Sequence, residues 1–98
     1  MIARTASFRV KADSLAVAVR ALEEFVAAID EHEDRTKIYS SFQQKDDEAE
    51  FLNVMIFDDE PAEEHHRTTD HVKRFTEALY PVTVDGVRFT AYSVVAST

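Results

Sequence analysis

This 98-residue chain contains no cysteine and no tryptophan. Lack of cysteine removes disulfides, thiolate catalysis, cysteine-ligated zinc and iron–sulfur clusters together. Glycine occurs once and proline twice, so no long flexible linker is present, and no low-complexity tract or internal repeat is visible. No apolar run approaches the roughly 20 residues that cross a bilayer. The opening residues MIARTASFRV alternate and lack the apolar centre of a signal peptide. The expected location is the cytoplasm. Basic residues are also in deficit: eleven Lys and Arg stand against nineteen acidic side chains, a formal net charge of −8. Nucleic-acid binding rests on clustered Lys and Arg. Here the basic residues are scattered, so neither nucleic acid nor an anionic membrane is an expected partner. The acidic runs Asp46-Asp47-Glu48 and Asp58-Asp59-Glu60 read as solvated loops and helix N-termini.

What is present is an ordinary globular composition, 45% hydrophobic and 31% charged. The length predicts one domain, residues 1–98. A domain of this size buries about two thirds or less of its unfolded surface, so a partner subunit would add to a small core.

Residues Ile2 to Lys11 alternate, with Ile2, Ala6, Phe8 and Val10 on one face, as in a half-buried strand. Arg4 falls on that apolar face. A frayed strand end is the simpler explanation, and a polar cavity is the alternative. Asp13 or Ser14 can cap a helix running to about His32, in which Leu15, Val19, Leu22, Val26 and Ile29 recur at steps of four and three. Ala18 and Phe25 lie beside that stripe. Thr36 to Gln44 is a second strand candidate, with Ile38 and Phe42 on one face and Tyr39 on the other. Glu50 to Asp58 is a third, apolar on both faces and therefore buried on both. Asn53 is the polar residue in its middle, and a buried amide left without a hydrogen bond costs about 1 kcal/mol or more. Pro61 suits the first turn of a short helix to Arg67. Thr68 or Thr69 can cap a second segment, Asp70 to about Tyr80, which Pro81 ends. Asp85-Gly86 reads as a turn before a final strand, Val87 to Ser97.

The predicted order is β-α-β-β-α-β, an α+β ferredoxin-like fold with an antiparallel four-stranded sheet and its helices on one face. The uncovered face is then a patch of several hundred Å², which marks an interface. A homodimer packed sheet to sheet is expected, a dimeric α+β barrel.

The run Asp59-x-x-Ala62-x-x-x-His66-x-x-x-x-His71-x-x-x-Phe75, followed by Ala78-Leu79-x-Pro81, resembles the signature of the antibiotic biosynthesis monooxygenase domain. That family belongs to the dimeric α+β-barrel superfamily, and the resemblance covers nearly the whole chain. It implies a small cofactor-independent monooxygenase acting on a hydroxylated aromatic or quinol-type substrate. The alternative is a non-catalytic small-molecule-binding or structural homodimer of the same fold. The aromatic-oxidising members resemble an Asn-x-x-x-Trp pattern, and here it reads Asn53-x-x-x-Phe57. Haem-degrading members need an asparagine on the first strand, and Ile2 to Lys11 has none.

Chemistry of that kind needs an apolar pocket, a hydrogen-bond partner for a phenolate, and a base. Asn53, His66 and His71 are the candidate catalytic residues. Tyr39, Phe42, Met55, Phe57, Phe75 and Tyr92 are the candidate substrate-binding residues. Each has a structural alternative. His66 can bond backbone groups at the Thr68-Thr69 break, His71 can pack or cap, and the aromatics can be core. His65, His66, Asp70 and His71 lie close in sequence. Adjacent histidines diverge by about 100° on a helix, however, so no metal site and no cofactor is expected.

Overall fold

The computed structural model describes residues 1–98. Strand β1 (Ile2–Val10) leads to helix α1 (Leu15–His32), then to strands β2 (Thr36–Gln43) and β3 (Glu50–Phe57). Helices α2 (Glu60–Arg67) and α3 (Asp70–Leu79) follow, and a 3-10 turn, Tyr80–Val82, leads into β4 (Thr83–Tyr92). The four strands form one antiparallel sheet in the order β2-β3-β1-β4. This is the ferredoxin-like α+β arrangement, with the second helical stretch broken in two. No helix is long and apolar enough to cross a membrane.

Side chains alternate across the sheet. The face toward the helices carries Ala6, Phe8 and Val10 of β1 and Phe51, Asn53, Met55 and Phe57 of β3, all buried. On α1 the stripe Ala18, Leu22, Phe25 and Ile29 is buried against it. Two apolar clusters result. The larger joins the α1 stripe to Phe8, Val10, Phe51, Phe75 and Leu79; the smaller holds Ala6, Met55, Phe57 and Ala62. The other face of the sheet has no helix over it. Phe42 pairs with Leu52, Ile38 with Ile56 and Tyr92 with Ala3 on that side. Ile38, Phe42, Leu52 and Tyr92 are all exposed there.

Local chemistry explains the helix boundaries. Asp59 accepts a hydrogen bond from the Ala62 backbone N–H at 3.0 Å and caps α2, with Pro61 in its first turn. Thr69 is extended, and its hydroxyl accepts from the Val72 N–H at 3.3 Å, so α3 starts anew instead of continuing α2. Ser14 occupies the cap position of α1 without a side-chain capping bond.

Asp85 and Gly86 do not form a turn before the last strand. They lie inside β4, where the register steps from Phe8↔Val87 to Arg9↔Val84. Both have left-handed backbone, with φ of 64° and 76°. Two extra residues on one strand make a bulge, and Asp and Gly are residues that tolerate this backbone. The strand therefore begins at Thr83 and ends at Tyr92, earlier than the sequence pattern suggests. A Cβ on Gly86 would meet nothing within 4 Å, so only the backbone opposes a side chain there. Gly86→Ala is expected to cost about 1 kcal/mol in urea unfolding.

Candidate functional site

The two apolar clusters leave a cavity of about 370 Å³ between the sheet and the helices. Phe8, Phe25, Phe75 and Leu79 line it from the larger cluster, and Ala6, Met55 and Phe57 from the smaller. β3 sends Asn53, Met55 and Phe57 into it because they share one parity of the strand. Tyr39 enters from β2, where it pairs with Met55.

Asn53 is 1% exposed. Its Nδ2 donates to the Tyr39 hydroxyl at 3.3 Å, while its Oδ1 has no partner at all. A buried amide oxygen without a donor is costly, and this one belongs to a residue lining the cavity. Burial pushes the Tyr39 phenol well above its usual range, against the opposing bond from Asn53. Tyr39 is therefore a neutral hydroxyl near neutral pH.

His66 reaches the cavity from α2. Its ring lies 5.1 Å from that of Phe57 and 5.6 Å from that of Tyr39, centroid to centroid. Its Nδ1 stands 2.9 and 3.0 Å from the two carboxylate oxygens of Glu33. Glu33 follows the last turn of α1 and its side chain is only 1% exposed. The same carboxylate bonds His71 Nε2 through Oε2 and accepts from the Thr36 hydroxyl at 2.7 Å. Burial alone would raise the Glu33 carboxyl. The bonds from His71, Thr36 and His66 outweigh it and hold the group below the usual carboxylate range. Burial pushes the His66 imidazole down, against the pull of Glu33. A carboxylate only accepts, so His66 carries its proton on Nδ1 and leaves Nε2 as a free acceptor. Nε2 takes no protein partner.

An ion pair closes one side of the cavity. Arg4 Nε donates to Glu63 Oε2 at 3.0 Å, and Arg67 reaches Glu63 Oε1 at 3.2 Å. All three residues line the cavity. Arg4 is thus not at a frayed strand end; it points into the space under the helices, where Glu63 compensates its charge.

Of the residues singled out from sequence, Asn53, His66, Tyr39, Met55, Phe57 and Phe75 converge on this cavity. His71 does not line it and sits behind His66 on the shared carboxylate. Phe42 and Tyr92 lie on the opposite face of the sheet and are not walls of the cavity. His66 does not bond backbone groups at the helix break through its ring; the Thr69 hydroxyl takes the His66 carbonyl instead. His65 and Asp70 are exposed and apart from the cluster. Sequence reasoning missed Glu33 and Phe25 as site residues. Glu33 stands four residues after Ile29, in line with the buried stripe of α1, and that spacing is the signal that marks it.

The fold and this cavity define an α+β domain with a pocket between an antiparallel sheet and its helices. The model of the family described as antibiotic biosynthesis monooxygenase matches residues 1–78, and the chain belongs to that family. Several solved structures share the fold. One from Caulobacter crescentus, provisionally named an antibiotic biosynthesis monooxygenase, is 19% identical with a TM-score of 0.90, covering 97% of this chain and 90% of that one. Another so named, from Deinococcus radiodurans, is 20% identical with a TM-score of 0.86 over 100% and 96% of the two chains. A third, from Nitrosomonas europaea, is 15% identical with a TM-score of 0.90 over 98% and 100%. At such identities the likeness carries the fold. No curated protein matches the sequence.

Proposed function

We propose that the chain is a small monooxygenase for a hydroxylated aromatic or quinol-type substrate, bound in the cavity between helices and sheet. The observation that carries this reading is the Asn53 Oδ1 without a partner in an otherwise aromatic and aliphatic space. A phenolic O–H is the complement of that oxygen, and Phe57 and Phe75 offer flat walls to a planar ring. His66 Nε2 is the proton acceptor for a second hydroxyl of the quinol-type substrate, because the hydroxyl held by Asn53 Oδ1 keeps its proton. Removing the phenolic proton gives an electron-rich phenolate able to pass an electron to oxygen, with the substrate itself as the source of electrons. His71 touches no substrate in this scheme; it positions the Glu33 carboxylate that orients His66.

Oxygen uptake with a panel of quinols and anthrones tests the proposal. Asn53→Leu is expected to abolish turnover while the chain stays folded, because it keeps the volume and removes an unsatisfied buried oxygen, against a cost of about 1–3 kcal/mol for the Tyr39 hydroxyl left without its partner. A folded protein with no uptake across the panel overturns the monooxygenase reading. Thermal stabilisation by an aromatic without turnover favours a binding protein of the same fold instead.

The bare sheet face supports a homodimer packed sheet to sheet. Leu52→Glu places a charge in the middle of that face and is expected to halve the mass seen by light scattering. A wild-type chain that is already monomeric at micromolar concentration counts against the dimer.

A further inference from the structure

Glu33, His66 and His71 form a donor set that the proposed chemistry in the cavity does not exhaust. Their ligand-type atoms lie within 4.8 Å of one another, and all three residues are buried. They come from three separate segments: the residue after α1, the penultimate position of α2 and the first turn of α3. We propose that they bind one divalent first-row transition ion of the zinc or iron(II) class.

The donor chemistry is the first argument. Two imidazole nitrogens and one carboxylate suit zinc and its first-row neighbours and do not suit magnesium or calcium, which take oxygen ligands. Spacing is the second. Two ligands of one ion, each about 2.1 Å from it, stand about 3.0 Å apart in octahedral and about 3.4 Å apart in tetrahedral coordination. His66 Nδ1 stands 2.9 and 3.0 Å from the Glu33 oxygens. The third is support from behind. The Thr36 hydroxyl donates to Glu33 Oε1 at 2.7 Å and fixes the carboxylate, as the outer partners of metal ligands do. No lysine or arginine pairs with Glu33; its carboxylate is held by the two imidazoles and the Thr36 hydroxyl. Glu33 also lines an open groove of about 800 Å³ between α1 and β2.

Binding needs the two ring nitrogens that now face Glu33 free of protons, so each imidazole proton moves to the other nitrogen of its ring. The ion sits behind the cavity wall and joins the ends of the three helices. It is not required to touch an aromatic ligand in the cavity; with Nδ1 on the ion His66 carries its proton on Nε2, so the metal-bound chain is a different state from the one in which Nε2 accepts a substrate proton.

Chelator-treated protein titrated with Co²⁺ and Zn²⁺ gives the test. One Co²⁺ per chain, a visible ligand-field band displaced by Zn²⁺, and no response to Mg²⁺ are expected. In ¹⁵N spectra of the wild-type chain, Zn²⁺ is expected to shift the imidazole signals of His66 and His71 and leave those of exposed His65 in place. Glu33→Gln should weaken binding about 10- to 100-fold, while His65→Ala should not. Substoichiometric binding, unmoved His66 and His71 signals, or unchanged affinity in Glu33→Gln each overturns the site. The spectra need no variant, so the test stands even where Glu33→Gln does not fold.

Discussion

Glu33→Ala is expected to lower the free energy of unfolding by about 3–5 kcal/mol, read from urea denaturation of chelator-treated protein. The carboxylate has 1% of its side chain exposed and serves three donors at once: His66, His71 and the Thr36 hydroxyl. Its removal leaves two imidazoles, 10% and 7% exposed, without the acceptor that offsets their desolvation. Their other contacts are aromatic. Phe25 lies 5.8 Å from His66 and 6.1 Å from His71 between ring centroids, and it offers no hydrogen bond. By contrast, Arg20→Ala at the exposed pair with Glu24 should change stability by no more than about 0.5 kcal/mol. Equal effects of the two substitutions would show that the Glu33 cluster carries no more weight than a surface pair.

Phe25→Ala is expected to cost about 3–5 kcal/mol and to impair aromatic binding at the same time. Phe25 stacks on Phe75 with centroids 4.1 Å apart and planes 5° from parallel, and meets Tyr39 edge-on at 5.2 Å. It lines the cavity on one side and faces both histidines on the other. Truncation removes ring contacts and opens the space between cavity and cluster. Phe25→Leu, which keeps most of the volume, should recover much of the stability but not the flat surface. Val17→Ala on the exposed side of the same helix, where the side chain is half in water, is expected to stay within about 0.5 kcal/mol. Thermal unfolding of the three variants separates packing from helix propensity.

The reasons some of this was legible in sequence and some was not are local. The strand Glu50–Phe57 is apolar on both rows, a pattern that predicts burial on both; the structure buries Phe51, Asn53, Met55 and Phe57 under the helices and leaves Leu52 exposed on the other row. Asn53 stood out as the polar member of that row, and the structure gives it both a tyrosine partner and an unmet oxygen. The break between α2 and α3 was legible because Thr68-Thr69 offers a cap between two amphipathic stretches. Phe42 and Tyr92 were not placed. β2 and β4 carry aromatic residues on both rows, Tyr39 opposite Phe42 and Phe89 opposite Tyr92, and only pairing with β3 and β1 decides which row faces the helices. Arg4 was unreadable for a related reason: its compensating charge, Glu63, lies on a helix far along the chain. Glu33 was hidden by its neighbours. It sits in the run Asp30-Glu31-His32-Glu33-Asp34, which reads as a solvated helix end, although the step of four from Ile29 turns it inward. Asp85-Gly86 gave a true backbone signal, left-handed conformation, but a bulge and a turn draw on the same residues.

The position of β1 bears on how the chain acquires this shape. It precedes both of its sheet neighbours in the chain, Glu50–Phe57 and Thr83–Tyr92. As the polypeptide emerges from the ribosome, β1 waits for α1, β2 and β3 before its first edge is satisfied and for α2, α3 and β4 before the second. Pairings this distant in sequence make for slow folding. Until they form, a nascent chain presents Ala6, Phe8 and Val10 beside unpaired backbone, a species prone to association with its neighbours. Synthesis at lower temperature, or with chaperones in excess, is therefore expected to raise the soluble yield more than any change to the finished core.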